Sequence, residues 1–93
     1  MNKYLVEIGE LGFERISESY IAYSNDSKED LELNDDFLTE CDNHLIDMYY
    51  DYGEEDEDEE DFLDSMGIIR IEDWKDEYAD YTNEIIYDER NYE

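Results

Sequence analysis

Residues 51–64, DYGEEDEDEEDFLD, carry ten carboxylates and no basic side chain. They are the extreme of a chain with 32 Asp and Glu against 6 Lys and Arg, a net charge of -26 over 93 residues. Charge of one sign at this density opposes compaction by self-repulsion. It limits the chain to one small domain with few residues available for its core. Leu, Ile, Val and Phe together supply twenty of the 93 residues. That lies just above the level of about 20% below which highly charged chains stay disordered. Ten tyrosines and one tryptophan tip the balance toward folding, because each buries a large ring while its polar tip stays in water. Acidic tails that remain disordered are poor in aromatics and in Ile, and this chain is rich in both.

The apolar residues are periodic. In KYLVEIG, residues 3–9, Tyr4, Val6 and Ile8 alternate with Leu5 and Glu7, which predicts a strand with a turn beyond it at Gly9 and Gly12. FERISESYIAYS, residues 13–24, fits two periods. Phe13, Ile16, Tyr20 and Tyr23 make a helical face, while Ser17, Ser19, Ile21 and Tyr23 alternate as in a strand. The helical period is the preferred reading. The clearest helix is 34–52, capped by Asn34. Phe37, Leu38, Cys41, Leu45, Met48, Tyr49 and Tyr52 form its apolar stripe, and Gly53 stops it. FLDSMG, 62–67, adds a helical turn. IIRIEDW, 68–74, is a second strand, rich in β-branched residues. From Trp74, Tyr78, Tyr81 and Ile85 recur at helical spacing, although IIY, 85–87, also suits a last strand. The fold class that follows is α+β, one domain over 1–93 with a short sheet and two or three acidic helices. Residues 54–61 form an acidic low-complexity insertion within it.

Several functions are disfavoured by the same residues. A single cysteine, Cys41, excludes an internal disulfide and suits a cytosolic chain. The N-terminus lacks the apolar run of a signal peptide, and no stretch approaches the roughly 20 apolar residues of a membrane span. Nucleic acids and anionic membranes would both be repelled. The expected partner is therefore a basic protein surface. The run DYGEEDEDEEDF places its Gly third and lacks the ligand order of a calcium loop. Cys41 and His44 have no further Cys or His with which to complete a zinc site. No nucleophile–base pair is visible, so neither enzymatic activity nor a cofactor is expected.

The carboxylates have an order of their own. Asp36, Glu40, Asp47 and Asp51 fall on the face of the 34–52 helix away from its apolar stripe, with Asn43 and His44 between them. Residues four apart rise about 6 Å, close to two phosphate steps of about 3.4 Å on one DNA strand. Asp73, Glu77, Asp80 and Glu84 form a second stripe if 74–85 is helical. Glu54, Glu55, Asp56, Glu57, Asp58, Glu59, Glu60 and Asp61 supply the densest run. Ordinary surfaces intersperse both signs. Like charges four apart on a helix cost about 0.2–0.5 kcal/mol each, and accepting that cost repeatedly points to use of the field. These residues are the candidate partner-binding set. A net 26 charges corresponds to about 44 Å of duplex axis. A compact chain of this length has a radius of gyration of about 12 Å, hence a diameter near 32 Å. That mismatch predicts an elongated homodimer, joined where charge is sparse, with the N-terminal strand and its flanking aromatics as candidates.

A small, proline-free acidic chain rich in Tyr, Asn, Ile, Asp and Glu resembles the DNA-mimic proteins of bacteriophages, which occupy the DNA-binding surface of host defence enzymes. Within that group it is most similar, in size and acidity, to the Arn anti-restriction proteins of T-even phages. The resemblance covers the whole chain and has no short motif that would assign positions. It implies a homodimer in the host cytoplasm with a DNA-like surface, inhibiting the modified-cytosine-dependent endonuclease McrBC. Other mimics inhibit CRISPR effectors, uracil-DNA glycosylase or histone-like proteins. An acidic chaperone or histone-binding module, with 54–61 as a mobile polyanion, is the rival class.

Overall fold

The computed structural model describes residues 1–12, 15–52 and 58–92, with the side chains of Arg15, Ser17, Tyr52 and Tyr92 left undescribed. The chain is α+β. Strands β1 (Asn2–Glu10) and β2 (Arg15–Ser24) form an antiparallel pair. Short helix α1 (Lys28–Leu31), long helix α2 (Asp35–Tyr52) and helix α3 (Glu59–Ser65) follow. Strand β3 (Met66–Asp73) then returns to pair antiparallel with β1. A 3-10 turn (Asp76–Asp80), strand β4 (Ile85–Asp88) and a last 3-10 turn (Glu89–Tyr92) complete the order. The sheet order is β3-β1-β2-β4, with β4 parallel to β2.

The main core lies between the sheet and its helices. Tyr4, Val6 and Ile8 of β1, Tyr20 and Ala22 of β2 and Ile71 of β3 meet Phe37, Cys41, Leu45 and Met48 of α2. Asn34 caps α2 as its sequence predicts, accepting the Phe37 N–H at 3.1 Å. Ser27 caps α1 through the Asp30 N–H at 3.3 Å.

The opposite face of the sheet is also covered, and this the alternation in β1 does not announce. Leu5, Glu7 and Ile21 point away from α2 yet are buried. The segment after β3 crosses over them, burying Tyr78 and Thr82, with Trp74 and Tyr81 rings edge-on to Tyr78. Glu7 can be buried there because Arg70, directly across from it on β3, donates to its carboxylate. That hydrogen bond raises the Arg70 pKa further. Lys3 lies 4.1 Å from the Trp74 ring centroid on the same face.

Two readings of the sequence are corrected. Residues 15–24 are strand, not helix: β2 buries Tyr20 and Ala22 toward α2 and Ile21 on the other face, so neither simple period describes it. Residues 76–88 are a 3-10 turn and a strand rather than a continuing helix. The body is also less round than its length suggests. Its radius of gyration is 13.3 Å and its extents are 42 × 29 × 20 Å.

Candidate acidic interface

Helices α2 and α3 form the outer layer on one side of the sheet. Between them they contain no lysine or arginine. In α2, Asp36, Asp47 and Asp51 are exposed and Glu40 is half-buried, so the predicted stripe faces outward. Asp35 and Asp42 are exposed on the same helix and were not singled out by its spacing. Among the described residues, Asp36, Asp47 and Asp51 make no ion pair with a lysine or arginine. Acids in the first turn of α2 suit the helix dipole, but Asp51 in its last turn opposes it, with no basic residue there to compensate.

The densest acidic run divides. Glu54, Glu55, Asp56 and Glu57 lie outside the described residues. Asp58 precedes α3, and Glu59, Glu60 and Asp61 form its first turn. Tyr50, 71% exposed on α2, donates from its hydroxyl to the Glu59 carboxylate at 3.2 Å, and Tyr49 packs against Phe62. These contacts tie the start of α3 to the end of α2.

The second predicted stripe is broken by the fold. Asp73 ends β3, Glu77 and Asp80 sit on the 3-10 turn covering the far side of the sheet, and Glu84 precedes β4. Asp73, opposite Tyr4 and two on from Ile71, points to the helix side from the end of β3, and Glu84 reaches that side as well. Glu84 joins Asp47, Asp51 and Glu18 around a groove of about 230 Å³, with Tyr20, His44 and Met48 as its other walls. His44 stands edge-on to Tyr20. Its Nδ1 lies 2.9 Å from the Glu40 carbonyl and its Nε2 is 3.9 Å from Glu84. A helical reading of 13–24 hides Glu18; strand alternation from Tyr20 places it beside α2.

Three basic residues lie on the other face of the sheet, while Lys28 begins α1. Lys3 and Arg90 both lie over the Tyr23 ring, and Arg70 pairs with Glu7 and Glu72. Arg90 holds Asp88 through two guanidinium bonds, which lowers the Asp88 pKa. Asp36, Asp47 and Asp51 thus stand on α2 without a lysine or arginine partner among the described residues, while the Glu7–Arg70 pair lies on the other face of the sheet. Among the described residues no group of three or more His, Cys, Asp and Glu is placed to hold a metal ion. No helix among them is long and apolar enough to cross a membrane.

Comparisons with protein-family models, with curated proteins and with solved structures return no match.

Proposed function

We propose that this protein is a DNA mimic that inhibits a host defence protein by occupying its basic DNA-binding surface, in the host cytoplasm. The favoured target is a restriction endonuclease of the McrBC type. The proposal is supported above all by one observation: the layer formed by α2 and α3 presents acids with no lysine or arginine among them. Length adds to it. A duplex 42 Å long carries about 25 phosphate charges, and the chain has that long axis and a net charge of -26. One copy therefore approaches the charge per length of DNA, and the length mismatch no longer calls for a homodimer. The resemblance to phage anti-restriction proteins remains one of size and charge character.

The rival reading, an acidic chaperone-like module, relied on a mobile 54–61. The helical placement of Glu59, Glu60 and Asp61 favours an ordered surface instead. Inhibition is stoichiometric on this account and needs no chemistry from the protein. The test is displacement of a labelled duplex from the DNA-binding domain of a McrBC-type nuclease. Release is expected to saturate near equimolar inhibitor and to weaken as salt rises. Undisturbed DNA binding, or nuclease inhibition at inhibitor far below enzyme concentration, would overturn the proposal.

A further inference from the structure

Asp58 and the first turn of α3 carry four consecutive carboxylates, and they meet the end of α2, which carries Asp47 and Asp51. Phe62 and Leu63 pack against the core and anchor the later part of α3. Its first turn lacks that support. Asp58 makes no side-chain capping bond among the described residues, and uncapped helix ends fray. With seven residues, α3 has little helical stability of its own.

Tyr50 of α2 reaches this turn. Its hydroxyl donates to Glu59 Oε2 at 3.2 Å. Its ring stands edge-on to Tyr49, which packs against Phe62. Burial does not account for a ring that is 71% exposed. Glu59 is half-buried, while Glu60 and Asp61 are exposed. Successive helical residues are rotated by about 100°, so holding Glu59 inward sends the next two carboxylates outward. The bond to Glu59, followed by the charge of Glu59, raises the Tyr50 pKa and keeps the hydroxyl a donor.

We propose that Tyr50 is a positioning residue of the acidic interface: it holds Glu59, so that Glu60 and Asp61 join the outward acids of α2 in one fixed array. The side-chain type fits that task. A lysine or arginine could also hold Glu59, but its charge would cancel one acid of the layer. A tyrosine hydroxyl supplies the donor and leaves the charge intact. With two torsions, it also loses little freedom when held. The role in recognition rests on the mimic reading, whereas the hold on α3 does not.

Two measurements on the full chain separate these. The Phe62 amide, bonded to the Asp58 carbonyl at 3.0 Å, reports the hold by hydrogen exchange in the free protein. Tyr50→Phe keeps the ring and every charge, and is expected to speed that exchange about threefold. Displacement of a labelled duplex from the DNA-binding domain of a McrBC-type nuclease reports recognition. There Tyr50→Phe is expected to lose about threefold in affinity, with its salt dependence unchanged because no charge is removed. Tyr50→Lys is expected to restore slow exchange yet flatten the salt dependence, a split that a packing defect would not give. In a Glu59→Ala background, Tyr50→Phe is expected to change neither measurement, because its partner is gone. Circular dichroism confirms that each variant is folded. Unchanged Phe62 exchange in Tyr50→Phe would overturn the hold. Faster exchange with unchanged affinity would overturn the role in recognition, as would additive losses in the double variant. A parent protein that releases no duplex overturns the mimic reading and the recognition role with it, while exchange still decides the hold.

Discussion

Arg70→Met is expected to be the most damaging single change on the sheet. Glu7 is 3% exposed on the central strand, and Arg70 supplies its cationic partner, with Nε at 2.5 Å. Removing one member of a buried ion pair costs about 3–5 kcal/mol, because a charge is left in low dielectric without compensation. Arg70 is itself 46% exposed in its side chain, so water can reach the pair and the expected loss is smaller, about 2–3 kcal/mol. A chain of this length has about 5–14 kcal/mol of stability in all. The loss corresponds to a fall of roughly 10–20 °C in melting temperature. Urea unfolding followed by tyrosine and tryptophan fluorescence measures it. Glu7→Gln combined with Arg70→Met leaves a neutral amide in place of the stranded carboxylate and is expected to recover at least half the loss. An Arg70→Met loss under about 0.5 kcal/mol, or a double variant less stable than the single one, would refute this account of Glu7.

Thr82 is buried with its hydroxyl oxygen unbonded, so Thr82→Val is expected to stabilise the fold by about 1 kcal/mol in the same urea assay. Burial, followed by the charges of Asp42 and Glu40, pushes the Cys41 thiol up to about 12. At pH 8 it is expected to resist alkylation in the native protein and to react at once in urea. A raised folded-state pKa adds stability below the unfolded value of about 8.5 that is lost as pH rises through the folded one. The Cys41 contribution is therefore expected to shrink above pH 9 or so, and Cys41→Ala should flatten the alkaline fall in stability. Because Asp36, Asp47 and Asp51 of α2 make no ion pair with a lysine or arginine among the described residues, the midpoint of urea unfolding is expected to rise with sodium chloride between about 0.05 and 0.5 M.

Local signals made α2 legible. Its cap, its apolar stripe and its outward acids all lie within one segment and agree, and the structure places Asn34, Phe37, Cys41, Leu45 and Asp47 accordingly. β1 and β3 were legible through their apolar runs. β2 was not, because Ile21 and Tyr20 are both buried, on opposite faces, and only pairing with β1 decides between two equally good periods. The segment after Trp74 reads as helix by the spacing of Tyr78 and Tyr81. It is instead shaped by the need to cover Leu5 and Glu7 on the far side of the sheet. The Glu7–Arg70 pair spans 63 positions, and nothing near either residue announces it. The same distance effect split the second acidic stripe. Glu84 joins Asp47 and Asp51 across the fold, while Glu77 and Asp80 leave for the opposite side.

That split supplies a matched control for the central claim, that the acidic helix face is the recognition surface. One variant carries Asp36→Asn, Asp47→Asn and Asp51→Asn; the other carries Asp76→Asn, Glu77→Gln and Asp80→Asn, all exposed on the 3-10 turn across the sheet. Each removes three charges, so any effect of net charge alone is equal. The measurement is affinity for the DNA-binding domain of a McrBC-type nuclease across a salt series. The helix-face variant is expected to lose about tenfold in affinity, from three exposed ion pairs at about 0.5 kcal/mol each, with a shallower salt dependence. The far-side variant is expected to stay within about twofold of the parent. Equal losses in the two variants, or no loss in the helix-face variant while its fold survives, would contradict the account.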